Sequence, residues 1–130
     1  MTETKYFTPE EANKTLPLVR QIVEDILNSS REMRLIAEDL DGKIAENPQI
    51  QDLAEKITGY IKEIADLGCE YKDWNFTIGL VDFPAIIDGE EVFLCWRTDE
   101  EEIRYYHKKD TGYEGRKLIK DEHFSHIPKN

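Results

Sequence analysis

The sequence predicts a single α+β domain: a long antiparallel helical hairpin at about residues 9–68, then a short antiparallel three-stranded β-meander. Apolar residues recur at three- and four-residue steps through the first half of the chain, as they do on one face of a helix. After Gly68 the spacing becomes that of strands, and the strand-like runs follow the helices instead of alternating with them. The meander and the C-terminal tail take up about residues 75–130, and a chain of 130 residues has the usual size of one domain.

The first predicted helix begins with an N-terminal capping signal. Thr8 can accept a hydrogen bond from the amide of Glu11 while the Glu11 carboxylate reaches back, and Pro9 occupies the first helical position. Pro17 lacks an amide hydrogen, so we expect a kink there, or a short first turn and a restart of the helix at Thr15. Asp41-Gly42 is the predicted stop, which gives a helix of about 33 residues or ~50 Å.

The second predicted helix begins at Asn47-Pro48 and ends at Gly68. A short link between two helices favours antiparallel neighbours, so the pair should pack as a hairpin with coiled-coil-like contacts. Because the first helix is the longer one, part of its apolar stripe has no partner on the second. Either the sheet or another copy of the protein must cover that part.

Three strand-like runs follow the hairpin, at residues 79–87, 91–97 and 103–107. Pro84 in the first run indicates an edge strand or a bend. Asp88-Gly89 favours a tight two-residue hairpin turn, because both residue types tolerate positive φ. The second run is almost continuously apolar, which predicts a central strand buried on both faces.

The charge and the cysteines restrict the classes of partner. The chain carries a formal net charge of −11, and a field of that sign repels nucleic-acid phosphates and anionic lipid surfaces. No apolar run approaches the roughly 20 residues that span a bilayer. The two cysteines, Cys69 and Cys95, lack the pattern of a disulfide-stabilised secreted domain. We therefore predict a cytoplasmic protein with no nucleic-acid and no membrane partner.

Candidate functional side chains concentrate in the strands and the tail. Asp82 lies among apolar residues, so its burial requires a partner or a raised pKa. Gly112 and Gly115 would let backbone amides approach an anion, with Arg116 as a bidentate donor. The structural alternative is a tight turn with Arg116 paired to Asp82 or Glu102. The candidate pocket consists of Asp82, Arg97, Glu102, His107, Gly112, Gly115 and Arg116.

His107 is the candidate general base or metal ligand. Strand alternation would let Cys95 and His107 meet across the sheet if the pairing register allows it. If the protein holds a metal, we expect the ligands among His107, Glu102, Asp82 and Cys95. The spacing is not that of a paired-cysteine zinc site, and the alternative for His107 is a hydrogen-bonded structural group. No cofactor is predicted.

Four ordered motifs resemble a known family. They are residues Gly79–Pro84, Leu94–Arg97, Glu102–His107 and Gly112–Lys117, and the opening Tyr6–Asn13 is similar to the start of the same family. That family is catalogued as domain of unknown function 2203, and the resemblance covers nearly the whole chain. It implies a small prokaryotic protein and brings no established activity.

Two functions from different classes fit these observations. The first is a non-catalytic interaction or oligomerisation module that forms a homo-oligomer, namely a dimer, through the helical hairpin. The second is a small anion- or metal-binding protein or enzyme whose site lies between the β-meander and the loop Gly112–Arg116, with a small anionic ligand. Convergence of the Asp82, His107 and Arg116 side chains would favour the second function.

Overall fold

Two α-helices form the first half of the chain and confirm the α+β fold class. The computed structural model describes residues 4–40, 44–73 and 75–124. Helix α1 spans Pro9–Glu38 and helix α2 spans Pro48–Asp66. Short 3₁₀ turns lie at Ile44–Glu46, Tyr113–Gly115 and Asp121–His123.

Helix α1 begins with the predicted capping box. The Glu11 amide donates to Thr8 Oγ1 at 3.0 Å, and the Thr8 amide donates to Glu11 Oε1 at 3.1 Å. The predicted alternative of a short first turn and a restart at Thr15 is wrong, because α1 runs through Thr15 and Pro17 as one helix of 30 residues. Proline costs the helix one backbone hydrogen bond. Burial of the apolar stripe from Leu16 to Ile26 stabilises the helix by more than that loss. The predicted stop at Asp41-Gly42 lies outside the described residues.

Helix α2 is capped by Asn47, whose side-chain oxygen accepts from the amides of Gln49 and Ile50. The last turns of α1 and the first turns of α2 line one cleft, while Gly68 after α2 lies against Phe7 before α1. The two helices therefore run antiparallel.

Within the part of the chain that the structure describes, five antiparallel strands follow in the order β1-β2-β3-β4-β5. They are β1 (Glu70–Tyr71), β2 (Leu80–Ile87), β3 (Glu90–Arg97), β4 (Tyr105–Lys108) and β5 (Lys117–Leu118). The three-stranded prediction is corrected to five strands. Because β1 and β5 have only two residues each, they leave no alternating pattern in the sequence. As predicted, β3 is central, because it pairs with β2 along its whole length and with β4 over residues 92–95.

Among the described residues, Pro84 lies on a stretch of β2 that pairs with another strand on one side only. On the other side β1 pairs only with Val81 and Asp82. Beyond them, the Phe7 amide donates to the Pro84 carbonyl at 2.7 Å. The two backbone groups of one antiparallel residue point to the same side, so the donor that proline lacks would have faced this open side.

The β2–β3 hairpin turns at Asp88-Gly89, as predicted. Both residues have positive φ, 52° for Asp88 and 80° for Gly89, between the paired residues Ile87 and Glu90. This is the conformation of a two-residue turn that matches the twist of the strands.

The two faces of the sheet have different roles. One face packs against the helices, where Phe83, Leu94 and Trp96 share a core with Val19 and Ile26. The opposite face carries the alternate residues of the same strands. Among the residues described, no helix is long and apolar enough to cross a membrane.

Candidate functional site

Three side chains that commonly bind metals meet on the sheet face opposite the helices. Asp82 on β2 pairs directly with Cys95 on β3, and Phe93, two residues before Cys95, pairs with His107 on β4. This register places all three side chains on one face and in adjacent rows. One ligand atom from each of Asp82, Cys95 and His107 lies within 4.8 Å of the other two.

The hydrogen bonds of His107 fix where its protons lie. Nδ1 is 2.8 Å from the Lys108 carbonyl oxygen, which can only accept, so Nδ1 carries a hydrogen. Nε2 is 3.1 Å from Asp82 Oδ2, and one further proton is shared between these two atoms. The Cys95 sulfur lies within 4.8 Å of a ligand atom of each of these two residues. Nε2, the carboxylate and the thiol sulfur therefore face one another.

The cluster is withdrawn from water. Asp82 and His107 are each 4% exposed, and Cys95 is 1% exposed. Burial raises the pKa of Asp82, and the attraction of His107 opposes that rise only in part. Burial, with a smaller contribution from the Asp82 charge, raises the pKa of Cys95 to about 12. The thiol is thus protonated at neutral pH, which makes it a weak nucleophile when no cation is near.

A pocket of about 260 Å³ opens beside the three side chains. Two lysines reach it, Lys72 after β1 and Lys109 after β4. Gly112 lies on its wall with φ of 65°, a conformation that favours glycine. The pocket is lined by Lys72, Leu80, Asp82, Phe93, Cys95, His107, Lys109, Gly112 and Tyr113.

The other predicted site residues lie outside this pocket. Arg97 makes a bidentate pair with Asp99, with N–O distances of 2.6 and 2.7 Å, and Glu102 pairs with Arg104. Gly115 lies in a 3₁₀ turn, where an added Cβ would approach the Thr111 side chain to 2.4 Å.

Arg116 does not join Asp82 and His107, and its partner is neither of the two carboxylates proposed for it. It pairs with Glu100 and lies over the rings of Tyr105 and Tyr113. The structure thus brings together Asp82, His107 and Gly112 from the predicted pocket, and Cys95 from the predicted ligands.

The sequence profile of one protein family, described as an uncharacterized conserved protein (DUF2203), matches residues 5–119. The chain belongs to this family. The match covers most of the 130 residues and confirms the resemblance drawn from the motifs. No curated protein and no solved structure matches the chain.

The sequence-based prediction missed two apolar residues of the pocket, Leu80 and Phe93, and three polar ones, Lys72, Lys109 and Tyr113. Lys109 stands two residues after His107, so strand alternation was a usable signal for it. Lys72 and Tyr113 lie in connecting segments, whose positions depend on the strand order and on the two-residue strands β1 and β5.

Proposed function

We propose that this protein binds one divalent transition-metal ion, with Zn²⁺ the best match, through Asp82, Cys95 and His107. The observation that carries the proposal is the approach of one oxygen, one sulfur and one nitrogen atom to within 4.8 Å of one another. These three donor types together are typical of zinc sites, since Zn²⁺ accepts thiolate, imidazole and carboxylate ligands.

The distances suit a tetrahedral ion. Zinc bonds of 2.0–2.3 Å at tetrahedral angles place neighbouring ligand atoms ~3.5 Å apart. The Nε2–Oδ2 distance of 3.1 Å is close to that value. Closing the remaining distances requires side-chain movements on the order of 1 Å, which χ rotations of Asp82 and Cys95 supply.

The orientation of His107 supports metal binding. Its Nδ1 hydrogen is donated to the backbone carbonyl of Lys108, which leaves Nε2 to face Asp82 and Cys95. Histidines that bind metals usually donate their second ring nitrogen in this way, because the bond fixes the ring and raises the basicity of the ligating nitrogen.

The energetics also favour a functional role for the cluster. Burying a carboxyl, an imidazole and a thiol together is unfavourable compared with apolar side chains of similar volume. Asp82 and His107 satisfy each other through a shared proton, and a cation bound by all three groups would replace protons with a stronger interaction. Buried titratable groups with shifted pKa values concentrate at functional sites.

Metal binding is tested by calorimetric titration of metal-free protein with Zn²⁺. We expect one equivalent to bind to the wild type. Cys95→Ser should bind at least about 100-fold more weakly, because a thiolate ligand is lost. Cys69→Ser is the matched control, since Cys69 is an equally buried free cysteine outside the cluster. Zinc affinities that agree in wild type, Cys95→Ser and Cys69→Ser would contradict the proposal.

A homodimer through the helical hairpin is the second candidate function, and one observation favours it. An apolar cleft of about 420 Å³ lies between the far ends of α1 and α2, with Met33, Ile50, Ala54 and Ile61 on its walls. Cleft walls of this kind are suited to a helix of a second copy. Sedimentation should give twice the monomer mass of 15.2 kDa, and Ala54→Arg should give the monomer. A wild type that stays monomeric would exclude the dimer.

We also propose a cytoplasmic location. Cys69 and Cys95 are both free thiols, which is the ordinary state of cysteine in a reducing compartment. Fractionation of the native host should recover the protein with cytoplasmic markers.

A further inference from the structure

We propose that the metal ion at Asp82, Cys95 and His107 takes a small oxyanion, a carboxylate or a phosphate, as its fourth ligand from the adjoining pocket. This inference rests on the metal site proposed above. It adds a class of ligand and assigns a role to Lys72 and Lys109, which the metal site alone does not explain.

The open coordination position faces the pocket. All three proposed ligands lie on the pocket wall, so an ion among them borders the same space of about 260 Å³. Three protein ligands leave one position of a tetrahedral ion to water or to an exogenous ligand, as in catalytic zinc sites. A closed structural site would have a fourth side chain in place of this space.

The charges around the pocket select an anion. A Zn²⁺ ion bound by one carboxylate, one thiolate and a neutral imidazole has no net charge, since the two negative ligands cancel its charge. The ammonium groups of Lys72 and Lys109 then leave the pocket lining positively charged. No acidic side chain other than Asp82 lines this pocket among the residues described.

Each of the two lysines forms a weak ion pair with a glutamate that lies outside the pocket. Lys72 Nζ is 3.4 Å from Glu70 Oε1, and Lys109 Nζ is 3.3 Å from Glu91 Oε2. All four side chains are 43% exposed or more, and ion pairs at such exposure contribute little free energy. The ammonium groups are thus free to turn toward an oxyanion, with their stems already beside the pocket.

The size of the pocket limits the ligand. A space of about 260 Å³ equals the liquid volume of about nine water molecules. Phosphate or a short carboxylic acid fits it with room to spare. Leu80, Phe93 and the Tyr113 ring supply apolar wall area that suits a short organic substituent.

The inference is tested with protein loaded with Co²⁺ and freed of unbound metal by gel filtration. The visible absorption of bound Co²⁺ reports directly on its ligands. We expect inorganic phosphate or acetate to shift the spectrum of the wild type at millimolar concentration. The double variant Lys72→Gln/Lys109→Gln should require about tenfold more anion, while it still binds one equivalent of Co²⁺. Lys62→Gln, an exposed lysine on α2, is the matched control and should behave as the wild type.

The outcomes separate the two proposals. Stoichiometric Co²⁺ binding with no spectral response to either anion at tens of millimolar would overturn the oxyanion ligand and leave the metal site standing. A response that is the same in the wild type and the double lysine variant would remove the lysines from the anion site and overturn their role. Failure of the wild type to bind Co²⁺ or Zn²⁺ would overturn both proposals.

Discussion

The carboxylate of Asp73 organises the loop between β1 and β2. One oxygen accepts from the Asn75 amide, and the other accepts from the amides of Thr77, Ile78 and Gly79 at 2.8–2.9 Å. Asp73 is 8% exposed, and its burial acts to raise its pKa. The four amide donors outweigh that effect, so the pKa lies below its ordinary value.

We predict that Asp73→Asn lowers the free energy of unfolding by about 2 kcal/mol at neutral pH, because an amide oxygen replaces a charged acceptor with two oxygens. A carboxylate whose folded pKa is depressed stabilises the fold above its unfolded pKa and loses that contribution as pH falls through the folded value. The difference between wild type and variant should therefore shrink below about pH 4. Urea unfolding of the wild type and the variant at a series of pH values measures this difference in unfolding free energy.

Asp66→Asn is the matched control for this prediction. Asp66 is 65% exposed and makes an i,i+4 pair with Lys62, so its loss should cost less than about 0.5 kcal/mol. If the two variants were equally stable at neutral pH, the assigned role of the Asp73 carboxylate would be wrong.

At the scale of the elements, the connection from β3 to β4 depends on Glu100. Its carboxylate accepts from the Arg97 amide at 2.8 Å and from the Arg116 guanidinium, and its carbonyl accepts from Trp96 Nε1 at 2.8 Å. Glu100 and Arg116 have side-chain exposures of only 16% and 12%. This acidic turn thus links the central strand to the C-terminal segment.

We predict that Glu100→Ala lowers the free energy of unfolding by about 3 kcal/mol, since it leaves a largely buried guanidinium without its carboxylate. Glu101 is the exposed neighbour of Glu100, and Glu101→Ala should change the free energy of unfolding by less than about 0.5 kcal/mol. Thermal or denaturant unfolding of both variants measures the difference. Similar stabilities would show that the Glu100–Arg116 pair is dispensable.

Gly79 sets how closely the start of β2 approaches helix α1. It has φ of 83°, and an added Cβ would lie 2.7 Å from Val23 and 2.8 Å from Thr98. Gly89 has nearly the same φ, 80°, but no atom lies within 4 Å of the position of its Cβ. Both glycines therefore need a backbone conformation with positive φ, but only Gly79 is packed closely against other side chains.

We predict that Gly89→Ala costs about 1–2 kcal/mol of unfolding free energy from backbone strain alone. Gly79→Ala should cost about 1–3 kcal/mol more, because Val23 and Thr98 must move. If chemical denaturation gave the same loss of unfolding free energy for Gly79→Ala and Gly89→Ala, then α1 and the start of β2 would move apart at little cost.

The elements that carry a repeating pattern were predictable from the sequence. The stripe of α1 and the apolar run of β3 each extend over enough residues to show their period. β1 and β5 were not predictable, because two residues show no period. For the site, Asp82 is recognisable as a charge within an apolar strand. Its meeting with His107 depends on the register of β3 and β4, which only the folded sheet fixes.

At the scale of the whole molecule, the sheet separates two kinds of packing. Its helix-facing side holds the apolar core with Phe83, Leu94 and Trp96. Its other side holds Asp82, Cys95 and His107, one from each of the three longest strands. An ion bound there would cross-link β2, β3 and β4 and stabilise the domain.

We predict that Zn²⁺ at about 100 times its Kd raises the free energy of unfolding of the wild type by about 2.7 kcal/mol through linkage. His107→Gln should lose this increment, whereas His123→Gln should keep it, because His123 lies in the last 3₁₀ turn away from the pocket. Denaturant curves with and without Zn²⁺ measure the increment. An equal increment in His107→Gln would exclude His107 as a ligand.

The two-residue strands at both edges of the sheet also affect solubility. Long, flat edge strands present rows of free backbone donors and acceptors, and they are the usual starting points of fibril growth. Here β1 and β5 are too short to act as templates, Lys117 adds a charge to β5, and Pro84 leaves a gap in the donors of β2. We therefore expect this sheet to resist fibril formation at high protein concentration.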